Sequence, residues 1–298
     1  DLEMVVSQAR QLLKHVKVRG GNQFSTDWFS ESTQSSQQFV IATHLLRGLA
    51  DNEFHAYYQP QVDLSTGNFI GVEALVRWHH HEWGTLEPGQ FIPIAEETGS
   101  IVQIDEHMLR LACRAAHKWQ QRGHEPLNVS VNLSAYSFNR PNLCDLVQDV
   151  LFDFDVSPEW LELEITESVL LQDKDRAANI MHELKAIGVS LALDDFGIGY
   201  SSLSYLQRFP LDTLKIDRAF ITGVDTNRGN AAITEAVIRL ARNLNLKVVA
   251  EGVERIEERE FLKQRNCDAM QGFLISHPVP EAVFQTLLNS QMPVRQAA

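Results

Sequence analysis

Cysteine is scarce in this chain of 298 residues: there are three, Cys113, Cys144 and Cys267, widely spaced and without a CxxC pair. An odd, scattered set excludes a disulfide framework and lacks zinc-site spacing, so each reads as a small core hydrophobe. No apolar run approaches the roughly 18 residues that a membrane-spanning helix needs, and no signal-peptide pattern opens the sequence. The fragment is therefore expected in the cytoplasm. Excess positive charge is missing too. With 26 Lys and Arg against 39 Asp and Glu, the formal net charge is -13. That argues against binding a DNA or RNA polymer, which depends on cationic patches that release counterions. An anionic substrate is still compatible if acidic side chains gather divalent cations, whose charge then sets the local field. What the chain has in quantity is hydrophobic side chains, 44%, beside 22% charged ones, which suits one large α/β domain with a small appendage.

Two patterns alternate along the chain. Apolar runs of about five to seven residues end in a carboxylate, a carboxamide or a lysine, and amphipathic helical stretches lie between them. In the stretch Val189 to Leu206, Val189, Leu191 and Leu193 alternate as in a buried strand, and the run stops on two adjacent anions, Asp194 and Asp195. Taken alone, Asp194-Asp195-Phe196-Gly197 would serve equally well as a helix cap and turn. Recurrence tips the balance. Strands are expected at 53–64 with Gln59, at 69–78 with Glu73, and, after a helix over 101–121, at 127–133 ending near Asn132. Others follow at 160–166 with Glu164, at 189–193, at 211–216 with Lys215, at 246–250 before Glu251, and at 269–274 with Gln271.

The turn Ser65-Thr66-Gly67-Asn68 makes the first two strands an antiparallel hairpin. The rest, separated by helices, form parallel units, and about eight strands in one domain point to a closed TIM-type (β/α)8 barrel with one antiparallel strand. An open doubly wound sheet is the alternative. Upstream, residues 1–20 read as an amphipathic helix, Gly20 to Phe24 as a strand and Ser25 to Gln38 as a linker, which places the main domain at 39–298.

In a barrel the strand C-termini share one mouth, where Asn132, Glu164, Asp194, Asp195, Lys215 and Glu251 would meet. Oxygen ligands without cysteine suit Mg²⁺ or Mn²⁺. A pair of such ions about 3.5 to 4 Å apart can activate a shared water and clamp a phosphoryl displacement. Three local readings accompany this. Glu73, set among Val72, Ala74, Leu75 and Val76, needs a partner, and Arg77 is the favoured one. His79-His80-His81 reads as a solvated loop. Lys215 is either salt-bridged to Asp217 or Glu251, or has its pKa pushed down by cations and acts on the water.

The ordered motifs Tyr58-Gln59-Pro60, Glu73-Ala74-Leu75 with Arg77, Val131-Asn132-Leu133-Ser134, Glu164-Ile165-Thr166-Glu167-Ser168, Asp194-Asp195-Phe196-Gly197, Lys215-Ile216-Asp217, Glu251-Gly252-Val253-Glu254 and Gln271-Gly272-Phe273 resemble the EAL family of cyclic di-GMP phosphodiesterases. The resemblance spans about residues 39 to 291, and the segment before it is similar to the end of a GGDEF domain. It implies a modified barrel and hydrolysis of cyclic di-GMP to linear pGpG. It also implies two ions, one on Glu73, Asn132, Glu164 and Asp194 and the other on Asp194, Asp195 and Glu251, with Lys215 touching the nucleophilic water. Gln59, Leu75, Arg77, Asp217, Glu254 and Gln271 would meet the dinucleotide or brace the site. Glu167 would steady the loop after Asp195, and that loop with the following helix would form a homodimer.

Departures from the family pattern are His81 for a commoner proline, Ile198 for Thr in DFGTG, and Ile275 and His277 for an aromatic and an Arg. Two other classes compete with this reading: a catalytically weak cyclic di-GMP receptor, and a barrel enzyme of the enolase or isomerase type.

Overall fold

The computed structural model describes residues 30–122, 127–197 and 206–291. The expected helix 1–20, the strand at Gly20 to Phe24 and the loop 198–202 lie outside these. The chain divides into two units, Asp1–Leu45 and Leu46–Ala298, and the strands and the site described below belong to the second. The linker expectation is corrected in part, because the backbone is already helical from Ser30 and continues to Ala50. Once the Phe39–Ala50 segment has nucleated a helix, adding a residue fixes one more hydrogen bond at small cost.

Ten strands form one sheet: β1 Phe54–Asp63, β2 Phe69–His80, β3 Gly84–Leu86, β4 Asn128–Leu133, β5 Leu161–Thr166, β6 Ser190–Phe196, β7 Thr213–Ile216, β8 Lys247–Ala250, β9 Ala269–Gln271 and β10 Val279–Pro280. Their order is β10-β1-β9-β8-β7-β6-β5-β4-β2-β3, and β1 also pairs with β2. Setting aside the outriders β3 and β10, that extra pairing closes eight strands into a ring. The open sheet is thereby excluded. β2 and β4 to β9 run parallel, and β1 runs against both of its ring neighbours, as the hairpin pattern predicts.

Sequence chemistry explains the turns that set this up. Asp63 Oδ1 accepts from the backbone N–H of Ser65 and Thr66 at 2.9 and 2.7 Å, and Gly67 supplies the left-handed φ of 77°. Aspartate and glycine together thus fix the β1–β2 reversal. Val129, Val131, Leu163, Leu191, Leu193 and Leu214 are all fully or almost fully buried. Each contributes roughly 1.5–3 kcal/mol against exposure. The helix Ile101–Gln121 buries Ile101, Ile104, Met108, Ala112, Ala115 and Trp119 at the expected spacing. The helix Lys174–Ile187 starts at Asp173, which caps the Arg176 N–H, and stops at Gly188 with φ 105°.

Two strand ends differ from expectation. β6 does not stop at Leu193 but runs through Phe196, with its ladder to β7 slipping between Leu193 and Phe196. β9 stops at Gln271. Beyond it Ile275 and Ser276 both donate their N–H to the Gly272 carbonyl, turning the chain back.

Candidate active site

Lys215, on β7, is completely buried among carboxylates. Its Nζ lies 2.6 Å from Glu164 Oε2, 2.6 Å from Glu251 Oε1, 3.4 Å from Glu73 Oε2 and 3.5 Å from Asp194 Oδ1. Carboxylates from three ring strands, β2, β5 and β6, and from the residue following β8 therefore converge on one ammonium. Of the two ion-pair partners expected, Glu251 is engaged and Asp217 is not; Asp217 caps the short helix Arg218–Ile221 through the Ala219 N–H at 2.7 Å. The carboxylates act on the Lys215 pKa in the opposite sense to the cations of the expected site. Burial does push it down, but Asp194, Glu164, Glu251 and Glu73 outweigh burial and raise it well above the ordinary lysine value.

Glu73 is also supplied by amides. Asn132 Nδ2 donates to Oε1 at 2.7 Å, which turns the Asn132 carbonyl oxygen away, and Gln271 Nε2 donates to Oε2 at 2.6 Å. The same Gln271 nitrogen reaches Gln59 Oε1 at 3.0 Å, while Gln59 donates to the Ser276 carbonyl. Gln61 donates to Gln271 Oε1 at 3.1 Å, which settles which way that amide points. Gly71 leaves room for it, since a Cβ there would sit 2.5 Å from Gln61 Oε1. The Arg77 pairing expected for Glu73 is replaced by another. Residues 73 and 77 lie four positions apart on one strand, some 13 Å, and Arg77 instead meets Glu87 at 3.2 Å and lies over the Tyr57 ring.

Excess negative charge shows in the carboxyl groups. Burial opposes ionisation of Glu73, yet Lys215 and the two amides hold its pKa below the usual range. Glu164 goes the other way: burial first, then the Glu73 charge, raises it well above that range. Its Oε1 is buried and receives no hydrogen bond among the described residues. Burial and the neighbouring Asp194 and Glu73 push Glu251 up to about 8. Asp195 is raised by burial, then by Asp194 and Asp217. Neighbours on a strand normally face opposite sides; the ladder slip, with Asp195 at φ 56°, is the local distortion that lets both aspartates serve one place. Asp194 Oδ1 also accepts the Asp195 N–H at 2.9 Å.

Five carboxylates around one lysine, with an orphaned buried oxygen, fit hard divalent cations in both charge and donor type. Beside them is a cavity of about 330 Å³ lined in part by Leu75, Ile92, Glu96, Asp105, Asn132 and Ser134. Glu254 stands at the rim, paired with Arg218 at 3.0 Å. Glu167 follows β5 at the start of the helix Glu167–Gln172; the loop it was expected to steady lies outside the described residues.

Sequence reasoning missed Asp105, which accepts the Ser134 N–H at 3.0 Å, and Glu162, two residues before Glu164 on the same strand face. The second was legible from the period of two alone. His80 is likewise not solvated: it is buried, and it stacks on Trp83 at 3.8 Å with its Nδ1 accepting from the Glu82 and Trp83 N–H groups.

The sequence profile of the EAL domain matches residues 42–278. Among curated proteins, the bifunctional diguanylate cyclase/cyclic di-GMP phosphodiesterase MucR of Pseudomonas aeruginosa is 43% identical over 266 residues, 89% of this chain and 39% of MucR. The cyclic di-GMP phosphodiesterase NbdA of the same organism is 39% identical over 290 residues, 97% of this chain and 37% of NbdA. The chain thus spans about two fifths of these relatives' length. A solved structure described as the PaMucR phosphodiesterase in complex with c-di-GMP superposes with a TM-score of 0.80 at 44% identity, covering 82% of this chain and 99% of that one.

Proposed function

The chain belongs to the EAL domain family, and from that premise we propose that it is a phosphodiesterase that hydrolyses cyclic di-GMP to linear pGpG with two divalent ions, Mg²⁺ or Mn²⁺. The observation that carries this reading is the buried Lys215 ammonium shared by Glu73, Glu164, Asp194 and Glu251. In this reading Glu73, Asn132, Glu164 and Asp194 hold one ion, and Asp194, Asp195 and Glu251 hold the other. When bound, the ions would act as Lewis acids on the phosphate and lower the pKa of a water at neutral pH.

The side chains supply the rest. Lys215, in contact with Glu73, Glu164, Asp194 and Glu251, orients the water through an N–H while the carboxylates around it absorb charge. Water adds across one P–O bond: its oxygen joins the 5′-phosphate and the released 3′ oxygen takes up a proton. Gln59 and Gln271, locked to each other and to Glu73, orient that carboxylate. Leu75 and Arg77 border the entry to the site, and Asp217, Glu254 and the Arg218 that pairs with Glu254 stand on the opposite rim, where the far end of the dinucleotide would lie.

A homodimer through the segment after Asp195, Glu167 as the anchor of that segment, and control by an upstream diguanylate-cyclase-type domain belong to the same reading. The domain name and greater length of MucR support the last of these. The test is chromatographic assay of cyclic di-GMP turnover with Mg²⁺ or Mn²⁺ and with chelator as control. Metal-dependent appearance of pGpG is expected. Tight binding without product would make the domain a receptor instead, and neither binding nor product would end the assignment.

A further inference from the structure

Beneath the residues just described, the barrel interior carries a second polar group that none of those roles uses. Glu162 on β5 is 2% exposed, Ser130 on β4 is 0% and Thr213 on β7 is 4%. Ser130 Oγ donates to Glu162 Oε1 at 2.8 Å, and Thr213 Oγ1 donates to Glu162 Oε2, also at 2.8 Å. A carboxylate in this place is unexpected, because the interior of such a barrel is usually filled by branched apolar side chains, and burying an anion without a compensating partner is expensive.

The positions of the three residues explain the arrangement. Ser130 comes two residues before Asn132, Glu162 two before Glu164, and Thr213 two before Lys215. With a side-chain period of two, each lies directly behind a residue of the mouth on the same strand face. Ser130 and Glu162 are register partners on adjacent strands. Thr213 is not a neighbour of β5 at all; β6 lies between. Glu162 crosses it where β6 presents Ala192, the register partner of Thr213 and a residue with only a methyl group. A larger side chain there would block the reach.

From this we infer that Glu162 is a positioning residue: its carboxylate ties β4, β5 and β7 together one step behind the mouth and so sets the relative heights of Asn132, Glu164 and Lys215. Ladder hydrogen bonds fix neighbouring strands pairwise, but they leave β7 placed relative to β5 only through β6, whose ladder to β7 slips between Leu193 and Phe196. The Glu162–Thr213 bond crosses β6 at the last regular pairs, Ala192 with Thr213 and Leu193 with Leu214, just before that irregularity. A site that needs its ligands held to within about half an ångström gains from a direct tie.

This inference rests on the metal-dependent phosphodiesterase reading, so its test includes a measurement that does not need turnover. With the whole chain, Mn²⁺ binding would be followed by calorimetry and cyclic di-GMP hydrolysis by steady-state kinetics for wild type, Glu162→Ala, Glu162→Gln, Ser130→Ala and Thr213→Val. Glu162→Ala should weaken Mn²⁺ binding about tenfold or more and lower kcat by a similar factor, with KM within about twofold. Glu162→Gln should recover most of both, because rotating hydroxyls can accept from an amide as readily as donate to its oxygen. Thr213→Val and Ser130→Ala should each show a smaller loss in the same direction.

Wild-type Mn²⁺ affinity and kcat in Glu162→Ala would overturn the inference, whatever happens to its melting temperature. Should that variant fail to fold, wild-type behaviour in both hydroxyl variants would do the same. A wild type that binds Mn²⁺ without hydrolysing cyclic di-GMP would refute the phosphodiesterase reading alone and leave the positioning role to be decided by the Mn²⁺ affinities. One that does neither would remove both.

Discussion

Two polar clusters, one at the end of the long β1–β2 ribbon and one at the barrel mouth, are opposites. Near the ribbon's end, Glu53 receives a hydrogen bond from Trp78 Nε1 at 2.9 Å and another from His81 Nδ1 at 3.1 Å. Burial would raise its pKa, but these two bonds and the nearby His80 and His81 charges prevail and lower it. At the barrel mouth, donors run out. One lysine and a few amides face five carboxylates, and burial together with those like charges pushes Glu164 and Glu251 upward.

By distance alone the first cluster could hold an ion, because Glu53, His80 and His81 offer ligand atoms within 4.8 Å of one another. Chemistry says otherwise. Nδ1 of His80 accepts two backbone N–H groups, so in the neutral ring the hydrogen resides on Nε2 and that atom donates rather than ligates. A polar cluster that completes its own hydrogen bonds is architecture, and one that cannot is a binding site.

Four experiments bear on that contrast. Asp194→Asn removes the charge assigned to both ions and should reduce cyclic di-GMP turnover on the order of a hundredfold or more; a fully active variant would erase the distinction between the clusters. Lys215→Ala should lower kcat roughly ten- to a hundredfold while KM changes little, which steady-state kinetics would show. A fall in melting temperature at unchanged kcat would make the lysine structural.

Asp105 provides an intermediate case: burial, only partly offset by the Ser134 and Ser137 hydrogen bonds, raises it to about 6. Its folded-state pKa lies above the unfolded value, so its favourable contribution is complete below about pH 4 and is lost as pH rises through about 6. Denaturant titrations across that window should show a loss of up to about 3 kcal/mol that is absent in Asp105→Asn. Finally, His81→Ala breaks a half-exposed pair and should cost about 1 kcal/mol or less. Mg²⁺ at a hundred times its Kd should stabilise this variant by about 2.7 kcal/mol, as it does the wild type. Loss of that increment in a thermal-shift series would move the ion to the histidines.

Much of this was legible before any coordinates. The ring, its reversed strand, and the convergence of Asn132, Glu164, Asp194, Asp195, Lys215 and Glu251 follow from strand period and strand ends, because a parallel barrel brings those ends together whatever the loops do; Glu73 joined them only through the family resemblance. Partner identity was not. Arg77 finds Glu87 rather than Glu73, since proximity in sequence along an extended strand is distance in space. His80 is buried because the β2–β3 turn folds Trp83 onto it, a contact that composition cannot announce. The carboxylate side of the Lys215 balance was not weighed either: four carboxylates in contact with it raise its pKa, in the opposite sense to the expected cations.

The ring closure between β1 and β9 also has a consequence in time. Gln271 meets Gln59 and Glu73 across 212 and 198 residues of chain, so these bonds form only after nearly the whole barrel has been synthesised. Closing a loop of that length costs about 5 kcal/mol in chain entropy, and non-local pairings of this kind slow folding. A nascent chain that has emerged only as far as β8 therefore carries Glu73 without the Gln271 amide and a barrel with an open seam. During that interval the edges of β1 and β8 are exposed for pairing with other chains, and the barrel's vulnerability to aggregation is concentrated in the last part of its own synthesis.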